Sequence, residues 1–202
     1  MPRAKLFVKL VLIRYHIIMD NILLYQLLER IGNLLRVEQR LVGNEFGLQE
    51  VHLQVLFYLS RCNRYSNTPI AVTDYLNATK GTVSQSLKVL EKKGYILKEA
   101  DAKDRRVVHL ILTTKGQELL KQVVSPSLFT DAVKELSDEQ VKSLETELSL
   151  LLSSLQKANR ARSFGVCRTC RFFLREEDGF RCGLTQEPLS NDDSLRICRE
   201  HE

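Results

Sequence analysis

The chain has 202 residues, of which 44% are hydrophobic and 27% charged, a balance typical of globular proteins. This length suits one domain with an appendage, or two small domains, and no stretch reaches the ~18 uninterrupted apolar residues of a membrane-spanning helix. The net charge of +5 is unevenly spread: residues 63–115 hold ten Lys/Arg and five Asp/Glu, whereas residues 116–159 hold four and seven. The middle of the chain is therefore the part that attracts a polyanion.

Residues 1–18 combine basic and apolar side chains, as a signal peptide does. However, Lys9 and Arg14 interrupt the apolar run, and no small-residue cleavage site follows. Met19 then opens a regular helical pattern. Two interpretations stay open: residues 1–18 are an upstream extension before a protein that starts at Met19, or they form an extra helix.

Two helices are predicted next. Leucines and isoleucines recur with helical spacing through residues 20–42, and a second apolar stripe follows within residues 47–62. Cys62 falls at the end of this second helix. A single cysteine there is typical of a semi-buried packing residue.

The central segment predicts two short helices, at about 69–76 and 80–93, joined by a tight turn. Val83, Leu87, Val89 and Leu90 form the apolar stripe of the second helix, and Gly94 stops it. Residues 95–99 and 105–112 then read as two strands around a polar turn. A helix from 115 to about 124 follows, capped by Thr113 or Thr114 and broken by a proline at 126.

A long final helix is predicted over residues 137–160. Its start has the Ser-x-x-Gln spacing of a capping box, and leucines recur along one side of it.

Helix, turn, helix and hairpin in this order predict a winged helix, a fold that places its second helix in the major groove of DNA. The candidate DNA-contacting residues have hydroxyl, amide or basic side chains that can bond to base edges and phosphates. They are Thr79, Lys80, Thr82, Gln85, Ser86 and Lys88 on the second helix, and Lys103, Arg105 and Arg106 at the hairpin tip.

The hairpin segment DAKDRRVVHLILTTKG, residues 101–116, and the helix segment TKGTVSQSLKVLEKKGYI resemble the wing and recognition helix of MarR-family transcriptional regulators. The resemblance covers about residues 20–159. It implies a mainly α fold with a small β-wing over residues 19–160. It also implies a homodimer in which the helices at 20–42 and 137–160 interleave between protomers, and which binds a pseudo-palindromic operator, usually as a repressor.

The remaining residues, 161–202, form a cysteine-rich tail. Cys167, Cys170, Cys182 and Cys198 follow the spacing C-x2-C-x11-C-x15-C. Cysteines this dense in a reducing compartment usually hold metal rather than form disulfides. The spacing resembles that of high-potential iron–sulfur proteins and lacks the second CxxC of a zinc ribbon. We therefore favour an iron–sulfur cluster over Zn²⁺, with His201 as a further ligand, a supporting donor or a solvated side chain.

The sequence thus predicts a cytoplasmic, dimeric regulator of double-stranded DNA that responds to a small-molecule or redox effector and makes no use of a membrane. The alternatives are a metal-dependent protein-interaction module and an electron-transfer protein. The four histidines are scattered, and no nucleotide-binding loop or nucleophile–base pair is present, so no enzyme is expected.

Overall fold

The computed structural model describes residues 2–102, 104–123, 127–158, 162–177 and 179–202; for residues 2–21, 38, 123 and 127 only the backbone is described. The main helices are α1 (Pro2–Glu45), α2 (Glu50–Arg61), α3 (Pro69–Leu76), α4 (Lys80–Lys92), α5 (Thr114–Val123), α6 (Ser127–Lys134) and α7 (Asp138–Ala158). Strands β1 (Ile96–Ala100) and β2 (Val108–Leu112) lie between α4 and α5. No described helix is both long and apolar enough to cross a membrane.

The helix ends confirm several local predictions. The Thr68 hydroxyl accepts a hydrogen bond from the backbone of α3 and Thr79 does the same for α4, at 3.3 and 3.1 Å. The capping box at the start of α7 is present, since Ser137 and Gln140 bond reciprocally at 2.8 and 3.3 Å. Gly94 ends α4 with a φ of 75°, a conformation that favours glycine. These caps fix where the central helices begin and end.

The hydrophobic core lies between α2, α3, α4 and the hairpin. Its fully buried side chains come from all of these elements: Leu53, Leu56, Tyr58, Val72, Val83, Leu90, Ile96 and Leu110. The hairpin pairs β1 and β2 antiparallel, with Ile96 opposite Leu112 and Ala100 opposite Val108. This core confirms the predicted winged helix and turns the outer face of α4 away from it.

Several boundaries differ from the prediction. Helix α1 continues back to Pro2, so the backbone of residues 2–18 is helical and continuous with the predicted first helix. The second strand begins at Val108 rather than at 105, because residues 104–107 form a turn closed by a bond from the Val107 N–H to the Asp104 carbonyl. Helix α6 was not predicted. Val124, Ser125 and Pro126, where the sequence places the end of α5, lie outside the described residues.

Helices α1 and α7 leave their leucine stripes exposed. No residue of α7 is buried, and Leu144 and Leu148 are each 48% exposed. On α1, Leu27 and Ile31 are 51% and 52% exposed. A single copy of the chain therefore leaves the apolar faces of both outer helices in contact with solvent.

The tail has structure of its own. A 3₁₀ turn (Cys167–Thr169) precedes the antiparallel sheet β3 (Phe173–Glu176), β4 (Gly179–Cys182) and β5 (Pro188–Leu189), which is followed by the short helix α8 (Asn191–Ser194). The sequence did not predict these elements. Residues 197–198 run back alongside the end of α2, with which Ile197 forms a parallel bridge at Cys62.

Candidate nucleic-acid interface and cysteine centre

The outer face of α4 carries most of the predicted DNA-contacting side chains. Lys80, Thr82, Gln85 and Lys88 are exposed, and the Thr79 hydroxyl lies 2.9 Å from that of Thr82. Together they form a polar and basic strip along the first two turns of the helix.

Ser86 corrects the prediction. It is 3% exposed and donates its hydroxyl to the Thr82 carbonyl at 2.8 Å, so it lies on the inner side of α4. Ser84 is exposed instead. Ser84 lies three residues after Gly81 and four before Lys88. This helical spacing could have placed Ser84 on the outer face of α4 from the sequence.

The hairpin tip presents arginine. Arg105 is exposed, and the Arg106 guanidinium forms two bonds with the Asp104 carboxylate, at 2.9 and 2.8 Å. This hydrogen bonding lowers the pKa of Asp104 and raises that of Arg106. Lys103, the third predicted contact at the tip, lies outside the described residues. Asp104 therefore shapes the turn and orients Arg106.

His109 ties the wing to the helical part of the domain. One of its ring nitrogens, Nδ1, lies 2.6 Å from the Asn67 side-chain oxygen, and the other, Nε2, lies 3.0 Å from a carboxylate oxygen of Asp101. Asn67 lies two residues before α3, whereas Asp101 begins the hairpin turn. This link fixes the wing against the helix–turn–helix, and no pattern in the sequence predicted it.

The four tail cysteines come together. Cys167, Cys170, Cys182 and Cys198 all line one cavity, whose wall is otherwise mainly apolar. The apolar wall includes Phe172, Phe173, Leu184 and Leu189. The structure describes all five cysteines, and none of them forms a disulfide. Within the described part of the chain, however, no three His, Cys, Asp or Glu side chains are placed to hold one metal ion.

The cysteine cavity is bounded on one side by the winged-helix domain. Asn63, which is 1% exposed and follows α2, donates its side-chain N–H to the Cys167 sulfur at 3.3 Å. A hydrogen bond from the Cys167 thiol lowers the pKa of Cys198 to about 6, with further bonds from Asn63 and Ser66. The same bond to Cys198, aided by burial, raises the pKa of Cys167.

Cys62 and His201 lie outside the cysteine cavity. Cys62 is 4% exposed and lies outside the cysteine cavity, and burial raises the pKa of its thiol to about 12, as suits a packing residue. His201 is half-buried, with its ring nitrogens 2.7 and 3.0 Å from the hydroxyls of Ser163 and Thr169. Burial lowers its pKa. It thus supports the tail's own fold, and it is not among the residues that line the cavity.

The tail docks on the helix–turn–helix through charge and aromatic contacts. Arg199 forms two hydrogen bonds with the Asp74 carboxylate on α3, at 2.9 and 2.7 Å. Phe164 packs edge-on against Tyr58 and Tyr75, with ring centroids 6.1 and 5.2 Å away. In the chain the tail follows α7. The structure instead places it against α2 and α3.

Comparison with known proteins supports the fold and the type of domain. Residues 48–116 match the family model of the winged helix DNA-binding domain. The transcriptional repressor MprA of Escherichia coli K12 is 31% identical over 80 residues, which are 40% of this chain and 46% of that protein. The chain thus spans about half the length of this curated relative.

Solved structures extend the similarity beyond the matched domain. The crystal structure of S. aureus MepR in DNA-binding conformation is 28% identical and has a TM-score of 0.57, over 64% of this chain and 96% of that one. A MepR mutant from a multidrug-resistant S. aureus clinical isolate is 26% identical, with a TM-score of 0.54, over 64% and 95%. The relatives are named for regulation and DNA binding rather than for catalysis, in agreement with the prediction that this chain is not an enzyme.

Proposed function

We propose that this protein is a cytoplasmic DNA-binding transcriptional regulator of the MarR type that represses genes as a homodimer on a pseudo-palindromic operator. The observation that carries the proposal is the exposed polar and basic strip of α4, beside an arginine-bearing wing, within a matched winged-helix domain. The similarity to a repressor and to a protein solved in DNA-binding conformation supports it.

The chemistry of α4 suits the major groove. Gln85 can bond bidentately to adenine, Lys80 and Lys88 can bond to guanine or phosphate, and the hydroxyls of Thr79 and Thr82 can reach either base or backbone oxygens. The first backbone N–H groups of α4 add a favourable site for a phosphate. Arg105 and Arg106 lie on the wing, from which they can reach the backbone or the minor groove.

A second copy of the chain is the occupant we propose for the apolar faces of α1 and α7. The leucines and isoleucines of both faces are each about half exposed in a single chain. Contiguous apolar patches of this kind usually mark an interface. Two-fold pairing would also place two copies of α4 on successive turns of DNA, which matches a palindromic site.

The test is gel retardation with a DNA site selected from a random pool by the wild-type protein. Changing both Arg105 and Arg106 to Ala should weaken binding and reduce the slope of log affinity against log salt by up to about 2, because two phosphate contacts are lost. The control changes Lys142 and Lys157 on α7 to Ala. It removes the same charge from exposed positions that lie outside α4 and the wing. If no DNA is retarded, or if both double variants behave alike, the proposal is wrong.

We extend the proposal to the tail, in which the four cysteines bind a metal–thiolate centre, either an iron–sulfur cluster or zinc. Their common cavity and their hydrogen-bonded sulfurs support such a centre. A centre that responds to redox or iron status would make the tail the sensory part of the regulator.

A further inference from the structure

The cysteine cavity brings together sulfurs from four separate places in the tail. Cys167 begins the 3₁₀ turn, Cys170 follows it, Cys182 ends β4, and Cys198 belongs to the segment that pairs with α2. We propose that the cavity binds an iron–sulfur cluster rather than zinc, and that the cluster fastens the tail to the helix–turn–helix. The regulatory part of this inference rests on the proposed DNA-binding function; the cluster itself does not.

The spacing of the cysteines separates the two metals. A zinc ribbon usually repeats the CxxC pair, whereas here only Cys167 and Cys170 form one, and fifteen residues separate Cys182 from Cys198. Iron–sulfur clusters are held by four cysteines with looser spacings, and all four tail cysteines line the same cavity.

The surroundings of the sulfurs also suit a cluster. Phe172, Phe173 and Leu184 line the cavity, and Phe173 packs against Phe180 at a ring-centroid distance of 4.9 Å. An apolar wall lowers the polarity around a cluster, which contributes to its reduction potential.

Asn63 is the link between the cluster site and the DNA-binding domain. Its N–H donates to the Cys167 sulfur, although the two residues are 104 positions apart in the chain. Its backbone N–H also donates to the Ile197 carbonyl at 2.9 Å, beside Cys198. Hydrogen bonds to cluster sulfurs help to set the reduction potential, so Asn63 acts as a positioning residue.

The contacts of the tail continue from the cluster to α3. Arg199, next to Cys198, bonds to Asp74, and its backbone N–H donates to the Ser66 hydroxyl at 2.9 Å. Helix α3 packs directly against α4. A ligand that binds four tail cysteines therefore stabilises the contacts that hold α3. Losing the ligand releases those contacts and changes how firmly the recognition helix is positioned.

The composition of the metal centre is the first test. The full-length protein, purified without oxygen, is assayed for iron, inorganic sulfide and zinc, and its visible spectrum is recorded. Wild type and the control variant Cys62→Ser, whose altered sulfur lies outside the cavity, should contain iron and sulfide in equal amounts. Cys170→Ser and Cys182→Ser should lose most of both. Zinc without sulfide, a metal-free protein, or retention of the cluster by both cavity variants would overturn the proposal.

The reduction potential provides a test that does not depend on folding yield. Asn63→Ala should keep iron and sulfide but have a lower cluster potential in a redox titration, since a bond to sulfur is lost. An unchanged potential overturns the role given to Asn63.

Gel retardation on the selected DNA site tests the coupling. Cys182→Ser should bind severalfold differently from wild type, whereas Cys62→Ser should bind alike. Equal binding by all three overturns the coupling and leaves the cluster standing. Absence of retardation by every form overturns the proposed function, while the metal assay still decides the cluster.

Discussion

Replacing Leu148 with Glu should dissociate the proposed dimer. Leu148 lies in the middle of the exposed stripe of α7 and is 48% exposed, between Leu144 at 48% and Leu152 at 55%. Fully burying a leucine is worth about 1.5–3 kcal/mol, so covering the exposed half of Leu148 contributes about 1 kcal/mol. Two-fold symmetry doubles this contribution to about 2 kcal/mol per dimer.

The introduced carboxylates add a second cost. Each copy of the interface would take a charge out of water without a partner, which costs several kcal/mol before relaxation. A total on the order of 5 kcal/mol raises the dimer Kd more than about a thousandfold. At micromolar concentration the variant should therefore sediment as a monomer in analytical ultracentrifugation, while wild type sediments as a dimer.

Thr146→Glu is the matched control, because Thr146 is exposed on the opposite side of α7 from the stripe. This variant should remain dimeric. Urea denaturation gives an independent check, since the unfolding midpoint of a dimer rises with protein concentration. A Leu148→Glu protein as dimeric as wild type, or a wild-type midpoint that does not depend on concentration, would refute the reasoning.

Three further changes test other parts of the structure. Gly116→Ala should lower the free energy of unfolding by about 1–3 kcal/mol in urea denaturation, because its Cβ would collide with the Tyr95 carbonyl oxygen. The control Gly81→Ala should not lower this free energy, because its Cβ meets only a side-chain oxygen at 3.8 Å. Burial, together with a nearby lysine, lowers the pKa of His52 below 6.5, so its contribution to stability is present above that pH and is lost as the pH falls. Wild type should therefore lose more unfolding free energy than His52→Gln when the pH falls from about 7 to about 5. Glutamine is chosen because it keeps a hydrogen-bond acceptor at the third position of α2. Equal losses by the two proteins would contradict this prediction. Asp74→Asn should speed amide hydrogen exchange in the tail, since it removes the charge that the tail arginines bind. Unchanged exchange in the tail would show that these ion pairs do not hold it.

The sequence alone predicted the features that depend on near neighbours in the chain. Apolar residues at helical spacing located α2, α3 and α4, and Ser137 with Gln140 located the start of α7, because these contacts lie within three or four positions of one another. The hairpin pattern identified the wing. Even here a local detail was wrong: Ser86 was placed on the outer face of α4, whereas the helix turns it toward the core.

The tertiary structure alone decided which surfaces meet. Four cysteines spread over residues 167–198 could be recognised as a set, but their spacing says nothing about Asn63, which reaches one of their sulfurs from 104 residues away. Nor does it say that Arg199 folds back to Asp74. Such contacts follow from the packing of whole elements against each other, which no periodicity in the chain encodes. For the same reason the tail could be identified as a cysteine centre from the sequence, while its position against the helix–turn–helix could not.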